Sequence, residues 1–283
     1  YGSDGIYITP RRVGEDGWEL GIKALIDNAD CSHKARFTLI DADGNEKAST
    51  IADLRPIISA KLPVEDPVLW NGRKNPYLYT VRCEIFDSTT QEVTDNIDIR
   101  TGLREYHIDS HKGFFLNGEH IKLQGVSRHQ DRENMGNAIT EKQHAEDVKI
   151  ILDVGANSVR LAHYQQNSYF YDLCDESGLL VWAEVPVISR FSPKRNENAE
   201  QQLVELIKQN YNHPSIFCWG IENEITIAGS ASKKLITFLK HMHKVARHLD
   251  PTRYTTCAQL TMCPVNSPLN HITDIIGYNH YYG

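Results

Sequence analysis

Between Tyr7 and Arg100, apolar and polar residues alternate in short runs broken by turn residues, the two-residue period of half-buried strands. Tyr7 to Thr9, Leu20 to Ile26, Arg36 to Ile40, Leu78 to Phe86 and Asn96 to Arg100 are the predicted strands. Asp43-Gly44-Asn45 is a hairpin turn signal between two strands. This spacing, with no helical stretch, predicts an immunoglobulin-like β-sandwich over residues 1–105. From about residue 113 the period changes. Ile121 to Val126 reads as a strand, and Thr140-Glu141-Lys142-Gln143 is a capping-box start for a helix through Asp153. Strand Ser158 to Leu161, helix Ser168 to Glu176, strand Leu179 to Ala183 and a helix from about Asn198 to Gln209 follow. The apolar run Ile216 to Trp219 is the next strand. Ser232 caps a helix to about Leu249, and strands Tyr254 to Ala258 and Asp274 to Tyr278 come last.

Alternating strands and helices imply a parallel sheet with helices over it. The count reaches six strand units, whereas a closed (β/α)8 TIM barrel needs eight strands and about 250 residues. Residues 113–283 supply 171. The pattern therefore predicts a multidomain chain: a sandwich, then a truncated barrel forming the N-terminal part of a catalytic domain over residues 106–283.

Composition narrows the classes. A 283-residue chain with 40% apolar and 24% charged residues can bury two cores. The net charge of −7, with no Lys/Arg block, gives no footprint for nucleic acid. No apolar run approaches the roughly 18 residues that signal a membrane span. The six cysteines are scattered without a CxxC pair, so neither a metal cluster nor a disulfide framework is predicted.

Barrel enzymes place their chemistry where the strands end. The predicted ends collect Ser127-Arg128-His129-Gln130-Asp131, Arg160-Leu161-Ala162-His163-Tyr164, Trp182-Ala183-Glu184, Asn223-Glu224 and Asn279-His280-Tyr281-Tyr282. A lone His or Glu after a strand is more often a cap than a catalyst; several such clusters on one rim shift the balance to function. A carboxyl at such a mouth suits general acid/base work.

The segment Asn212-His213-Pro214-Ser215-Ile216-Phe217-Cys218-Trp219-Gly220-Ile221-Glu222-Asn223-Glu224 resembles the acid/base signature of glycoside hydrolase family 2, the family of β-galactosidases, β-glucuronidases and β-mannosidases. Asn157-x-x-Arg160-x-x-His163-Tyr164, followed by Asp175-x-x-Gly178-Leu179-Leu180-Val181-Trp182, resembles its other signature. Leu123 to His129 looks like its first barrel strand, Asn279 to Gly283 like its sixth strand end, and Asp66 to Tyr79 like a passage of its sandwich domain. The resemblance implies that Glu224 is the proton donor and later base of a retaining exo-β-glycosidase. It implies that Asn223, His129, His163, Asn279 and Tyr281 line the sugar, and that Arg160 sits behind the nucleophile. No cofactor is implied, and the implied partner is a carbohydrate substrate.

Two departures stand out. Gln165 replaces a usual Pro. The stretch Val185-Pro186-Val187-Ile188-Ser189-Arg190 offers neither ligand of the Glu-x-His magnesium pair known in the larger β-galactosidases, so no such metal is expected. His241 and His243 are two apart on a helix, where metal pairs need four. The family's nucleophile comes from a seventh strand, and this chain ends 59 residues after Glu224 (283 − 224). The expectation is an inactive fragment of a β-galactosidase, with β-glucuronidase, β-mannosidase or a non-catalytic carbohydrate-binding scaffold as alternatives. Open sheet edges would favour a homo-oligomer.

Overall fold

The computed structural model describes residues 3–14 and 17–281; Tyr282 and Gly283 of the last motif lie outside the described residues. The first half holds strands β1 (Ile6–Val13), β2 (Gly17–Leu25), β3 (His33–Ile40), β4 (Glu46–Asp53), β5 (Ile57–Glu65), β6 (Trp70–Asn71), β7 (Asn75–Pro76), β8 (Tyr79–Asp87) and β9 (Val93–Thr101). A sheet ordered β1-β2-β5 faces one ordered β4-β3-β8-β9, every pair antiparallel. Alternate residues point inward: Leu20 and Ile22 of β2 meet Phe37 and Leu39 of β3 and Val81 of β8 in one core. The β-sandwich is thus as the alternation predicts. The β3–β4 turn forms at Asp41 to Asn45, where Asp41 Oδ1 accepts from the backbone N–H of Asp43 at 3.0 Å and of Asn45 at 2.8 Å. Four strands escape the sequence reading, the two-residue β6 and β7 and the longer β4 and β5. No residue of β4 is fully buried, so its alternation carries little apolar contrast, and Lys61 and Pro63 dilute the inward Ile58, Leu62 and Val64 of β5.

After the sandwich comes a small antiparallel sheet of β10 (Tyr106–Asp109), β11 (Gly113–Leu116) and β12 (Glu119–Ile121). Its Phe114 and Leu116 pack on Leu180, Phe217 and Cys218, near the beginnings of barrel strands, and so floor the barrel. The barrel units are β13 (Gly125–Arg128), α1 (Glu141–Asp153), β14 (Ser158–Leu161), α2 (Ser168–Ser177), β15 (Leu180–Glu184), α3 (Asn196–Gln209), β16 (Ile216–Asn223), α4 (Lys233–Leu249), β17 (Tyr254–Leu260) and β18 (Ile275–Asn279). The six strands from β13 to β18 pair in order and in parallel, a half-barrel. Its outer core runs from Val159, Val181 and Trp219 to Leu206, Leu239 and Met242 on the helices. On the inner side, Phe217, Trp182, Leu123 and Ile275 border an open hollow of about 870 Å³. Among the described residues no helix is long and apolar enough to cross a membrane.

The first barrel strand differs from expectation: Ile121 belongs to β12, and β13 starts only at Gly125. The reason is a side chain. Asn157 Oδ1 accepts from the Gln124 N–H at 2.8 Å and its Nδ2 donates to the Lys122 carbonyl at 2.8 Å, so the amide replaces ladder bonds there. A Cβ on Gly125 would stand 2.4–2.5 Å from Ser158 atoms, so glycine permits the close pairing that follows.

Sandwich and barrel are stitched together. Asn212 acts as a strand partner for β1, accepting from the Ile8 N–H at 2.9 Å and donating to the Ile6 carbonyl at 2.8 Å. Trp70 Nε1 donates to the Asp175 carbonyl at 2.9 Å. Gly178 ends α2 in the left-handed region (φ 72°), and a Cβ there would fall 2.2 Å from the Gly72 backbone. Beneath β16, Asp250 is fully buried and accepts from Trp219 Nε1 at 2.9 Å and Arg253 Nη1 at 2.7 Å. Burial opposes its ionisation, yet Arg253 and these hydrogen bonds hold its carboxyl below the usual range. Asp250→Ala would leave the buried Arg253 without its counter-ion. The expected loss is about 3–5 kcal/mol of unfolding free energy, read from urea denaturation; a loss under about 1 kcal/mol, the worth of an exposed pair, would contradict this role.

Candidate active site

At the C-terminal ends of the parallel strands, one guanidinium gathers the others. Arg160, on β14, lies within 3.1 Å of both carboxylate oxygens of Glu184, at the end of β15, through Nε and Nη2. Its Nη2 also donates to Asn223 Oδ1 at 2.6 Å, on β16, and its Nη1 to Asn279 Oδ1 at 2.9 Å, on β18. The plane lies 4.6 Å over the Trp182 ring. Glu184 is wholly buried and takes a further contact from His163 Nδ1 at 2.8 Å. A bidentate pair of this kind, with its carboxylate buried, fixes orientation as well as charge.

Glu224 follows the last residue of β16. It stands at φ 48°, in the left-handed region that costs a side-chain-bearing residue about 1–2 kcal/mol. Its N–H donates to the Ala258 carbonyl at 2.8 Å, and its Oε1 accepts from Asn279 Nδ2 at 2.9 Å. The same Nδ2 donates to Asn223 Oδ1 at 3.0 Å. Since Asn279 Oδ1 faces Arg160, only one orientation of that amide satisfies the network. Asn223 in turn spends its Oδ1 on Arg160 and Asn279, leaving its own Nδ2 as a donor. Glu224 is 9% exposed, so it is reachable from the rim.

Glu222, two residues earlier, does not share the setting of Glu224. The strand ends at Asn223 and its register shifts between Gly220 and Asn223. Glu222 is fully buried, accepting from the Ile225 N–H at 3.1 Å and touching the Cys257 thiol, while its Oε1 has no partner. Burial pushes its pKa up to about 8. The same cause raises Cys257 to about 12.

Of the residues singled out by sequence, the structure brings together Arg160, His163, Asn223, Glu224 and Asn279. His129 joins them through ring contact, its centroid 5.2 Å from that of His163. Tyr281 is 81% exposed and outside this bonded cluster. Arg128 belongs beneath the rim: it is buried against Phe170, pairs with Asp147 at 2.7 Å and meets His144 Nδ1 at 3.0 Å. The loop after His163, where Gln165 stands, is anchored by Gln166, which bonds both the side chain and the carbonyl of Arg128, and by Asn167, which caps α2. Residues 185–190 run on beside β16: the Asn223 N–H donates to the Val187 carbonyl at 2.9 Å, and the Ser189 N–H to the Asn223 carbonyl at 3.1 Å. That ladder holds Asn223 from its far side.

Glu184 is the residue that sequence reasoning underrated. It was visible as a strand-end carboxylate, but its tie to Arg160 spans 24 residues and carries no local signal. His241 and His243 do face apart, toward Glu200 and Thr255. Asp172, Asp175 and His213 offer possible metal-ligand atoms within 4.8 Å of one another. Each has a protein partner: Arg100 for Asp172, and His213 with the Ser215 N–H for Asp175.

Glycosyl hydrolases family 2, TIM barrel domain, matches residues 108–282, and glycosyl hydrolases family 2 matches residues 4–104. A β-glucuronidase of Bacteroides fragilis is 37% identical over the whole chain, which covers 42% of that protein. A β-galactosidase of Thermoanaerobacter pseudethanolicus is 30% identical over 88% of the chain and 33% of its own length. The crystal structure of an FMN-binding β-glucuronidase from Facaelibacterium prausnitzii L2-6 superposes with a TM-score of 0.95 at 42% identity, covering 100% of this chain and 44% of that one. The chain thus spans about two fifths of the length of these first relatives.

The buried carboxyl sets a pH dependence. Glu222 has a folded pKa raised from 4.5 to about 8, so its contribution to stability is complete below 4.5 and is lost as pH rises toward 8. Glu222→Gln removes the ionisable group. Its urea midpoint, relative to the native chain, is expected to rise steadily across that window; a constant difference would show that Glu222 is not the titrating group.

Proposed function

Since the chain belongs to glycoside hydrolase family 2, we propose that the whole protein is a retaining exo-β-glycosidase whose proton donor is Glu224. One observation carries this reading: Asn279 Nδ2 touches both Asn223 Oδ1 and Glu224 Oε1, over an Arg160 that is itself locked by Glu184. Such a network fixes a carboxyl at a strand mouth with little freedom left to lose, the preorganisation that acid catalysis needs. Glu224 protonates the departing glycosidic oxygen, then takes the proton of the water that releases the glycosyl intermediate. Asn223 Nδ2 is the donor for a sugar hydroxyl, and His129 and His163 line the same subsite. Arg160 positions Asn223 and Asn279.

A retaining mechanism also needs a carboxylate nucleophile about 5–5.5 Å from the acid. Glu184 is a poor candidate, since Arg160 and His163 occupy both of its oxygens. Glu222 is uncharged below its raised pKa of about 8 and faces Ile225 and Cys257. We assign the nucleophile to a part of the whole protein beyond these 283 residues. For the sugar, the motifs suit a β-galactoside and a β-glucuronide equally. Similarity to proteins named β-glucuronidase makes the terminal β-glucuronide the first substrate to try.

Aryl β-glucuronide, β-galactoside and β-mannoside should be offered to the whole protein, to its Glu224→Gln variant and to the 283-residue chain alone. We expect one sugar to be hydrolysed, the variant to be slower by about a hundred- to ten-thousand-fold, and the short chain to show no turnover. Full activity in the variant would remove Glu224 from its role. Parent-like turnover by the short chain would place the nucleophile within it.

A further inference from the structure

The sandwich and barrel do not meet flush. Between β1 and the segment leading into β16 lies a hollow of about 260 Å³ bordered by Arg11, Trp18, Arg104, Tyr106, Tyr211 and Arg253. Thr9, Arg11 and Tyr211 also border a second hollow of about 500 Å³ that continues past Lys23 and Lys61 along the same seam. In a chain of net charge −7, this seam gathers cations. Several are neutralised: Arg12 pairs with Glu105 at 2.9 Å, Lys61 with Glu19 at 3.1 Å and Arg253 with Asp250 at 2.7 Å.

Arg104 is not neutralised in this way. Its Nε and Nη2 donate to the carbonyls of Pro214 and Ile216, and its plane stacks 4.5 Å over Tyr106, whose hydroxyl is fixed on the Phe217 carbonyl. Among the described residues no carboxylate forms an ion pair with it, although Asp250 acts on it from a distance. Two of its five N–H groups are spent on these carbonyls and the Tyr106 side chain takes a further contact, which leaves part of the fork with unspent donors. Burial draws its pKa down to about 10, still far above neutrality, so the group remains a charged, half-buried cation. Such a group is costly to keep without an anion. Arg11 borders the open side of the same hollow, and among the described residues no carboxylate ion-pairs with it.

We propose that this seam is an anion site, taking a small phosphate monoester whose dianion sits on the unspent donors of Arg104 and on Arg11. Guanidinium forks match phosphate geometry in two parallel hydrogen bonds. The volume is slightly below the range of about 300–1,000 Å³ that holds drug-sized ligands, which favours a compact body on the phosphate. The site lies between the sandwich and the strands' starting ends, on the far side of the barrel from Glu224. Its occupation is therefore separable from glycoside turnover.

The test is titration of the whole protein with inorganic phosphate and with phenyl phosphate, followed by calorimetry and by ³¹P line width, with phenol as the uncharged control. Both phosphates should bind, and phenol should not. Arg104→Gln should weaken binding at least about tenfold, the factor that a lost charge-assisted hydrogen bond exceeds. Arg104 also holds two carbonyls, so that variant risks misfolding. Arg11→Gln, at an exposed position, should weaken binding several-fold with an unchanged thermal midpoint. Lys23→Gln, in the neighbouring hollow, should leave it within twofold. Absence of phosphate binding, or equal loss in Arg11→Gln and Lys23→Gln, would overturn the proposal.

Discussion

The architecture of the rim depends on one half-buried cation. Arg160 rises from β14 and bonds the ends of β15, β16 and β18 through Glu184, Asn223 and Asn279. Parallel strands are joined by backbone bonds along their length, but their ends splay into loops, where side chains must fix the register. A guanidinium suits this task because its donors radiate in one plane and none can be lost to deprotonation. The fully buried Glu184 compensates the charge, and Trp182 supplies an aromatic floor. Removing the cation would do more than delete one contact. It would leave the buried Glu184 without its cation and free two amides whose orientations it dictates.

The segment 212–224 divides by physical role. Its first half is structural: Asn212 pairs with β1, His213 pairs with Asp175 at 2.6 Å, and the carbonyls of His213 and Ile216 are held by Arg253. Its middle is a strand buried at all eight positions, as its unbroken apolar run requires. Only the last two residues reach the rim. A signature that looks like one motif is therefore a tether to the sandwich, a core strand and a chemical tip, joined by continuity of chain.

This division explains what the sequence made legible. Residues with local periodicity were readable almost to their ends: β14 spans Ser158–Leu161 as predicted, and α1 begins at its Thr140–Gln143 capping box. Elements whose partners lie elsewhere were not. The floor sheet β10–β12 is defined by what it packs on, and β13 is delayed by an Asn157 amide more than thirty residues away. In the site, Asn223 and Glu224 were visible as a motif and Arg160 as a rim residue. The bond from Arg160 to Glu184 belongs to tertiary structure alone. Tyr281 illustrates the reverse: a residue type suited to sugar contact, placed by the chain at the exposed end of the rim.

Backbone geometry then decides which carboxyl serves. Successive side chains on a strand point to opposite faces, so consecutive residues cannot both reach one amide. Asn223 and Glu224 do reach one, at 3.0 and 2.9 Å from Asn279 Nδ2. The left-handed turn at Glu224 permits this by swinging its side chain to the side that Asn223 already faces. The cost of that conformation is offset by the hydrogen bond from its N–H to Ala258 and by the Asn279 contact. Glu222, left within the strand, has no such release. It stays among Ile225 and Cys257, where its raised pKa of about 8 marks desolvation. Two carboxyls separated by one residue thus acquire opposite characters, one sealed in the core and one offered at the mouth, because the strand ends between them.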